Sequence, residues 1–256
     1  AAFALDEAEA ARGVVTHSSG NHGAALAMAA ALRGIPAHVV VPENANALKL
    51  RNIVEAGATV HRCAPTLAAR EAMCAAIQRE HGAELVHPYA DVRVMAGQGT
   101  AALELLDQVN GLDAFIAPVG GGGLMSGCAA ALRARSPHTV LVGAEPAGAD
   151  DAQRSLAAGH VVSVERPNSI CDGLLATLGE INRVVLATHG VEVLIVDDAA
   201  VRVAMRRLWE RLKLVVEPSS AITYAVLCAH RERFRGQRVG VLLSGGNVDL
   251  DALPAW

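Results

Sequence analysis

The chain has 256 residues, 52% apolar and 19% charged, which supports one large or two modest domains around a buried core and excludes a disordered chain. Lys and Arg total 22 against 26 Asp and Glu, a net charge of -4, and only 3% of residues are aromatic, so no nucleic-acid partner is expected. The five scattered cysteines lack C-x-x-C spacing and read as free thiols of a reducing cytoplasm. With no apolar run of about 18 residues and no basic leader, the chain is expected to be soluble, cytoplasmic and without a membrane partner.

Residues 1–11 read as the tail of a helix already under way. Short β-branched runs follow at 13–16, 37–41, 84–86, 114–118, 139–143 and 238–243. They are nearly continuous in hydrophobicity, as parallel strands covered on both faces are. Between them lie helices at 22–33, 45–56, 66–81 and 98–110, stopped by Gly34, Gly57, Gly82 and Gly111. Met205 and Trp209 sit at helical spacing and read as core. The alternation predicts an open α/β fold. No repeat or linker tract is visible, so a second domain must arise by excursion of the chain.

In such sheets ligands lie beyond the carboxyl ends of the strands. Those positions carry His17-Ser-Ser-Gly-Asn-His-Gly23, His87-Pro-Tyr-Ala-Asp91, Gly120-Gly-Gly-Gly123, Glu145-Pro-Ala-Gly-Ala-Asp-Asp151 and Ser244-Gly-Gly-Asn247. Gly120, Gly121, Gly122 and Gly123 precede a helix starting near Leu124 and can present backbone N–H groups to a phosphate. A plain turn would rarely keep four residues of such entropic cost. Ser18, Ser19, Asn21 and His22 offer hydroxyls, an amide and a helix N-terminus to a small carboxylate, beyond what capping alone requires.

A dinucleotide site would use Glu145 as its ribose acid, but the third glycine of G-x-G-x-x-G falls on Ser126. No G-x-S-x-G elbow supports a serine hydrolase. The acidic loop of Glu145, Asp150 and Asp151 suits a hard cation, although for such a run alone a solvated acidic turn is the favoured reading. His38, His61, His81, His138, His160, His189 and His230 read as isolated, with no shared ligand spacing.

Taken together, Thr16-His-Ser-Ser-Gly-Asn-His-Gly23, Ala96-Gly-Gln-Gly-Thr100, the glycine run, Glu145-Pro146, Glu217-Pro218 and Leu243-Ser-Gly-Gly-Asn-Val-Asp249 resemble the serine/threonine dehydratase and serine racemase family. These are fold type II pyridoxal-phosphate enzymes. The resemblance implies two open parallel-sheet α/β domains with the active site between them, a small one near 12–88 and a large cofactor-binding one from 1–11 and 89–256. It also implies a homodimer and a small amino-acid substrate.

Position by position, the resemblance gives the cofactor phosphate to Gly120, Gly121, Gly122, Gly123 and Leu124. It gives the pyridine 3'-oxygen to Asn21, the pyridine nitrogen to Ser244, and cofactor-adjacent places to Gly173 and Glu217. Ser18, Ser19, Asn21 and His22 would grip the substrate carboxylate, with Ser19 as the second acid/base of the racemases. Glu145, the Ala149 carbonyl and Asp151 match the Mg or Ca site of metal-activated members. The family's Schiff-base lysine belongs to a segment that would lie just upstream of Ala1, and neither Lys49 nor Lys213 matches it. The implied activity is a dehydratase converting L-serine or L-threonine to the 2-oxo acid and ammonia. Serine racemase and a noncatalytic cofactor-binding chain are the alternatives.

Overall fold

The computed structural model describes residues 1–45 and 47–250. Contacts divide the chain into two compact units, Ala1–Val94 and Met95–Trp256, each built on its own four-stranded sheet. All strand pairs in both sheets are parallel, which bears out the α/β reading.

In the first unit β1 (Val14–His17), β2 (Ala37–Pro42), β3 (Thr59–Cys63) and β4 (Glu84–Leu85) lie in the order β3-β2-β1-β4. Four helices accompany them: α1 (Glu7–Arg12), α2 (Asn21–Arg33), α3 (Ala47–Glu55) and α4 (Leu67–His81). Every residue of β1 is buried because helices cover both faces. Val14 packs with Leu26 and Ala30 of α2, whereas Val15 packs with Cys74 and Ile77 of α4. Each such valine contributes roughly 1.5–3 kcal/mol by leaving water.

The start of the chain differs from expectation. A 3-10 turn at Ala2–Ala4 ends at an extended Leu5, and α1 begins anew behind Asp6. Asp6 Oδ1 accepts from Glu9 N at 2.8 Å while Glu9 Oε2 accepts from Asp6 N at 3.0 Å, a reciprocal cap that starts a helix rather than continuing one. Ala2, Leu5 and Ala10 pack with Val14 and Leu26 in the first unit.

The second unit contains β5 (Ala114–Pro118), β6 (Val140–Pro146), β7 (Glu192–Val196) and β8 (Val239–Val241), in the order β7-β6-β5-β8. Its helices are α6 (Gly123–Arg135), α7 (Asp151–Ala158), α8 (Glu180–Thr188), α9 (Asp198–Leu212) and α10 (Pro218–Ala229). Phe115 and Leu141 face a cluster with Met125, Leu132 and Leu186, while Ile116 and Val142 face Met205, Leu208 and Ile222. Met205 is fully buried, as its spacing suggested.

α5 (Val92–Gln108) starts well before the expected residue 98. Asp91 initiates it, its Oδ1 accepting from Arg93 N at 2.8 Å, and Gly97 and Gly99 disguised the helical pattern. Those glycines have a packing reason: a Cβ on Gly99 would sit 2.7 Å from Gly127 O, and one on Gly127 would sit 2.0 Å from Met95 O. The Ala96–Thr100 motif is thus a close helix contact between α5 and α6.

Each sheet reverses its strand order once. β1 is flanked by β2 on one side and β4 on the other, and β5 by β6 and β8. Crevices therefore open beyond the carboxyl ends of β1 and β4 in one unit, and of β5 and β8 in the other.

Candidate active site

In the first unit the chain leaves β1 at His17, turns through Ser18, Ser19 and Gly20, and enters α2 at Asn21. Gly20 N donates to Ser18 Oγ at 3.3 Å, which fixes the turn. A Cβ on Gly23 would lie 2.2 Å from Ser18 O, so the loop closes this tightly only on glycine. The first-turn N–H groups of α2 lack intrahelical acceptors and face the crevice side of the sheet with the positive end of the helix dipole.

Three imidazoles frame this turn. His22 Nε2 donates to Val86 O at 3.3 Å, which leaves Nδ1 as an acceptor and makes the ring a tie between α2 and the end of β4. His87 Nδ1 accepts from Ala90 N at 3.0 Å and Tyr89 N at 3.3 Å. His17 meets His87 edge-on at 5.1 Å, and His87 meets Tyr89 at 4.6 Å.

Burial pulls His17 down to about 4, with His87 and Arg70 lowering it further. Burial also takes His22 to about 4, against the opposing pull of its bond to Val86. His87 is lowered by burial as well. At neutral pH these rings are uncharged, so an anion here meets N–H and O–H donors rather than imidazolium. Thr16 Oγ1 and His17 Nδ1 are buried with no hydrogen-bond partner, a mark of polar groups that await a ligand or water.

In the second unit the glycine run joins β5 to α6. Gly122 is the N-cap of α6 with φ 94°, a left-handed conformation, and a Cβ there would strike Leu178 Cδ1 at 2.6 Å and Asn182 Cβ at 2.8 Å. A Cβ on Gly120 would strike Leu174 Cα at 2.9 Å. The loop is pressed against its backing, so its ligand-facing surface is bare backbone at the N-terminus of a thirteen-residue helix.

The neighbouring loops are held to one another. Gly173 N donates to Ser219 Oγ at 3.0 Å, Glu217 N donates to Gly245 O at 3.1 Å, and Thr223 Oγ1 donates to Leu242 O at 3.1 Å. Glu217, the buried N-cap of α10, is thus bonded to Gly245, the neighbour of the exposed Ser244 beyond β8, while Ser219 in the same first turn of α10 is bonded to the Gly173 turn. Ser220 Oγ in the first turn of α10 is buried without a partner.

Glu145, 1% exposed at the end of β6, accepts from Ala152 N at 2.7 Å and Gln153 N at 2.9 Å. Burial pushes it up to about 8, the two backbone bonds hold it back, and Asp151 and Asp150 raise it again. Asp151 Oδ2 accepts from Leu178 N at 2.7 Å, and burial raises this carboxyl too. Ala149 is buried in the turn between them. Among the described residues no three His, Cys, Asp or Glu side chains close on one point, so the candidate set is two carboxylates and a carbonyl.

Neither lysine lies on these loops. Lys49 belongs to α3, and Lys213 follows α9 in a left-handed conformation with Nζ donating to Glu210 O at 2.6 Å. His17 and His87 are additions that the sequence reading placed near the site without assigning them, their strand-end positions being the available signal; Arg70, in the first turn of α4, was not read at all. One reading is corrected: His38, His61 and His81 are not isolated, since β2, β3 and the end of α4 bring their rings together. Separations of 23 and 43 residues in sequence concealed a contact made through parallel pairing.

Comparison with known proteins gives the family. The family described as "Pyridoxal-phosphate dependent enzyme" matches residues 1–245. The chain is 46% identical over 254 residues to the beta-hydroxyaspartate dehydratase of Paracoccus denitrificans (strain Pd 1222), covering 99% of this chain and 81% of that protein. It is 44% identical to the serine racemase of Dictyostelium discoideum over 99% of this chain and 79% of the relative. The structure of maize serine racemase superimposes with a TM-score of 0.95 at 44% identity, covering 98% of this chain and 78% of that one.

Proposed function

From the premise that this chain belongs to the pyridoxal-phosphate dependent enzymes, as a lyase, we propose that it removes water and ammonia from a 2-amino-3-hydroxy acid, L-serine or L-threonine, to give the 2-oxo acid. The observation that carries this reading is the glycine loop at the switch point of the second sheet. It fits a phosphate. The loop presents backbone N–H groups at a helix N-terminus, and any Cβ at Gly120 or Gly122 would collide with the backing residues.

In this proposal Gly120, Gly121, Gly122, Gly123 and Leu124 hold the phosphate, with Gly173 and Glu217 bracing the adjoining loops. Ser244 serves the pyridine nitrogen as a neutral partner. The chemistry supplied by the bound cofactor is an electron sink that acidifies the substrate Cα–H. Ser18, Ser19, Asn21 and the first-turn N–H groups of α2 receive the substrate carboxylate. His22, with Nε2 engaged by Val86 O, holds α2 in place. A neutral Ser244 beside the pyridine nitrogen would leave that nitrogen unprotonated, which would favour loss of the β-hydroxyl.

The Glu145 and Asp151 carboxylates with the Ala149 carbonyl form an oxygen set of the kind that Mg or Ca takes, and two buried acids near one another gain from a cation. A homodimer and a cytoplasmic location complete the proposal, on the resemblance alone.

A second reading, serine racemase, is supported by the Ser19 hydroxyl, a proton carrier in the turn that receives the carboxylate. The test assays the full natural protein with L-serine, L-threonine and 3-hydroxyaspartate for 2-oxo acid, and with L-serine for the D-enantiomer. Keto-acid release from a hydroxy amino acid is the expected result. D-serine without keto acid would replace the lyase by the racemase, and neither product would leave a binding protein.

A further inference from the structure

The first unit carries an imidazole cluster that the reaction does not use. His38 lies at the amino end of β2, His61 on β3, and His81 at the last residue of α4, which ends near the amino ends of the strands because it runs back across the sheet. Pairing aligns His38 with Thr59 and Val40 with His61, so His38 and His61 project from the same face as diagonal neighbours. His38 lies level with Val15, and His61 with Val40 and hence with His17 of β1, so the pair sits on the β2–β3 flank of the sheet, away from the β1–β4 crevice that the Ser18 turn borders.

His38 Nδ1 and His61 Nε2 stand 3.1 Å apart. His81 stacks on His38 at 4.6 Å with an interplanar angle of 13°, which holds the His38 ring in place. Both His38 and His61 are half-exposed, so an ion can reach them and water can complete its shell.

Two imidazole nitrogens at ~2.05 Å from a metal and 3.1 Å from each other subtend about 98° at the ion, between the octahedral and tetrahedral angles. Reaching that arrangement requires each lone pair to tilt by about 40° from the N···N line, a ring rotation that these half-exposed histidines make with the stacked His81 ring following His38. The soft-to-borderline imidazole donors select zinc, copper or nickel over magnesium or calcium.

We infer that His38 and His61 form a bidentate binding site for a divalent transition-metal ion, spanning β2 and β3 and separate from the cofactor and substrate loops. His81 is its positioning residue. The ion joins two strands only in the folded chain, so it raises the stability of the folded protein by mass action.

The test titrates the cofactor-loaded protein, without an affinity tag and in excess magnesium, with zinc chloride, and records the electron paramagnetic resonance spectrum of the copper-loaded protein. One zinc site per chain is expected, weakened tenfold or more by either His38→Gln or His61→Gln and unchanged by His160→Gln. The copper spectrum is expected to show coupling to two imidazole nitrogens, an arm that needs no variant to fold. Undiminished zinc affinity in folded His61→Gln, or a copper spectrum without imidazole nitrogen, would overturn the site.

Discussion

Replacing Gly122 by alanine would place a Cβ 2.6 Å from Leu178 Cδ1 in a backbone held at φ 94°. The two penalties together are expected to cost about 1–3 kcal/mol of stability, read by thermal unfolding, and to weaken pyridoxal phosphate binding tenfold or more. Gly97→Ala, at a glycine with nothing within 4 Å of a new Cβ, is the control and should leave binding unchanged. Ser19→Ala is expected to abolish any D-serine formation while sparing a larger share of keto-acid release, because its hydroxyl is assigned only the second proton. Equal loss of both products would remove that role. For His22, folding lowers the ring to about 4, so between there and its ordinary value of 6.5 the unfolded chain binds the extra proton. Stability is therefore complete above about 6.5 and falls as pH drops toward 4, by an upper limit of about 3 kcal/mol. His22→Gln should make that acid limb of the melting-temperature profile shallower, with His17, lowered to about 4 as well, supplying what remains.

At the scale of elements, strands buried on both faces were the easiest to read. β1 and β5 are continuous apolar runs in the middle of their sheets, and their expected and observed positions nearly coincide. β3 and β7 were not read at all. Both are edge strands, and Thr59-Val-His-Arg-Cys63 carries His61 and Arg62 side by side because one flank of an edge needs no partner strand. The glycine loop and the Ser18 turn were legible because each joins a strand to a helix, where glycine and hydroxyl residues have few structural reasons to accumulate. The roles of His22 and Glu145 were not, since a sequence does not tell which backbone group a buried side chain meets. The α5 and α6 contact gives a further test: Gly127→Val would drive side-chain atoms into Met95 O and is expected to cost at least about 3 kcal/mol or prevent folding, as measured by denaturant unfolding.

At the scale of the whole molecule, two units repeat one design, a parallel sheet with a single reversal of strand order and functional loops beyond it. Among the described residues no helix is long and apolar enough to cross a membrane. The proposed cofactor and substrate roles account for the glycine loop, the Ser18 turn and the Ser244 loop together, while the histidine cluster on the β2–β3 flank of the first sheet stands outside that proposal. The most direct measurement is equilibrium dialysis of pyridoxal phosphate against this chain and its Gly122→Ala variant. One cofactor per chain, displaced by excess inorganic phosphate and weakened tenfold or more in the variant, is the expected result; no binding, or binding indifferent to Gly122, would contradict the assignment of the glycine loop.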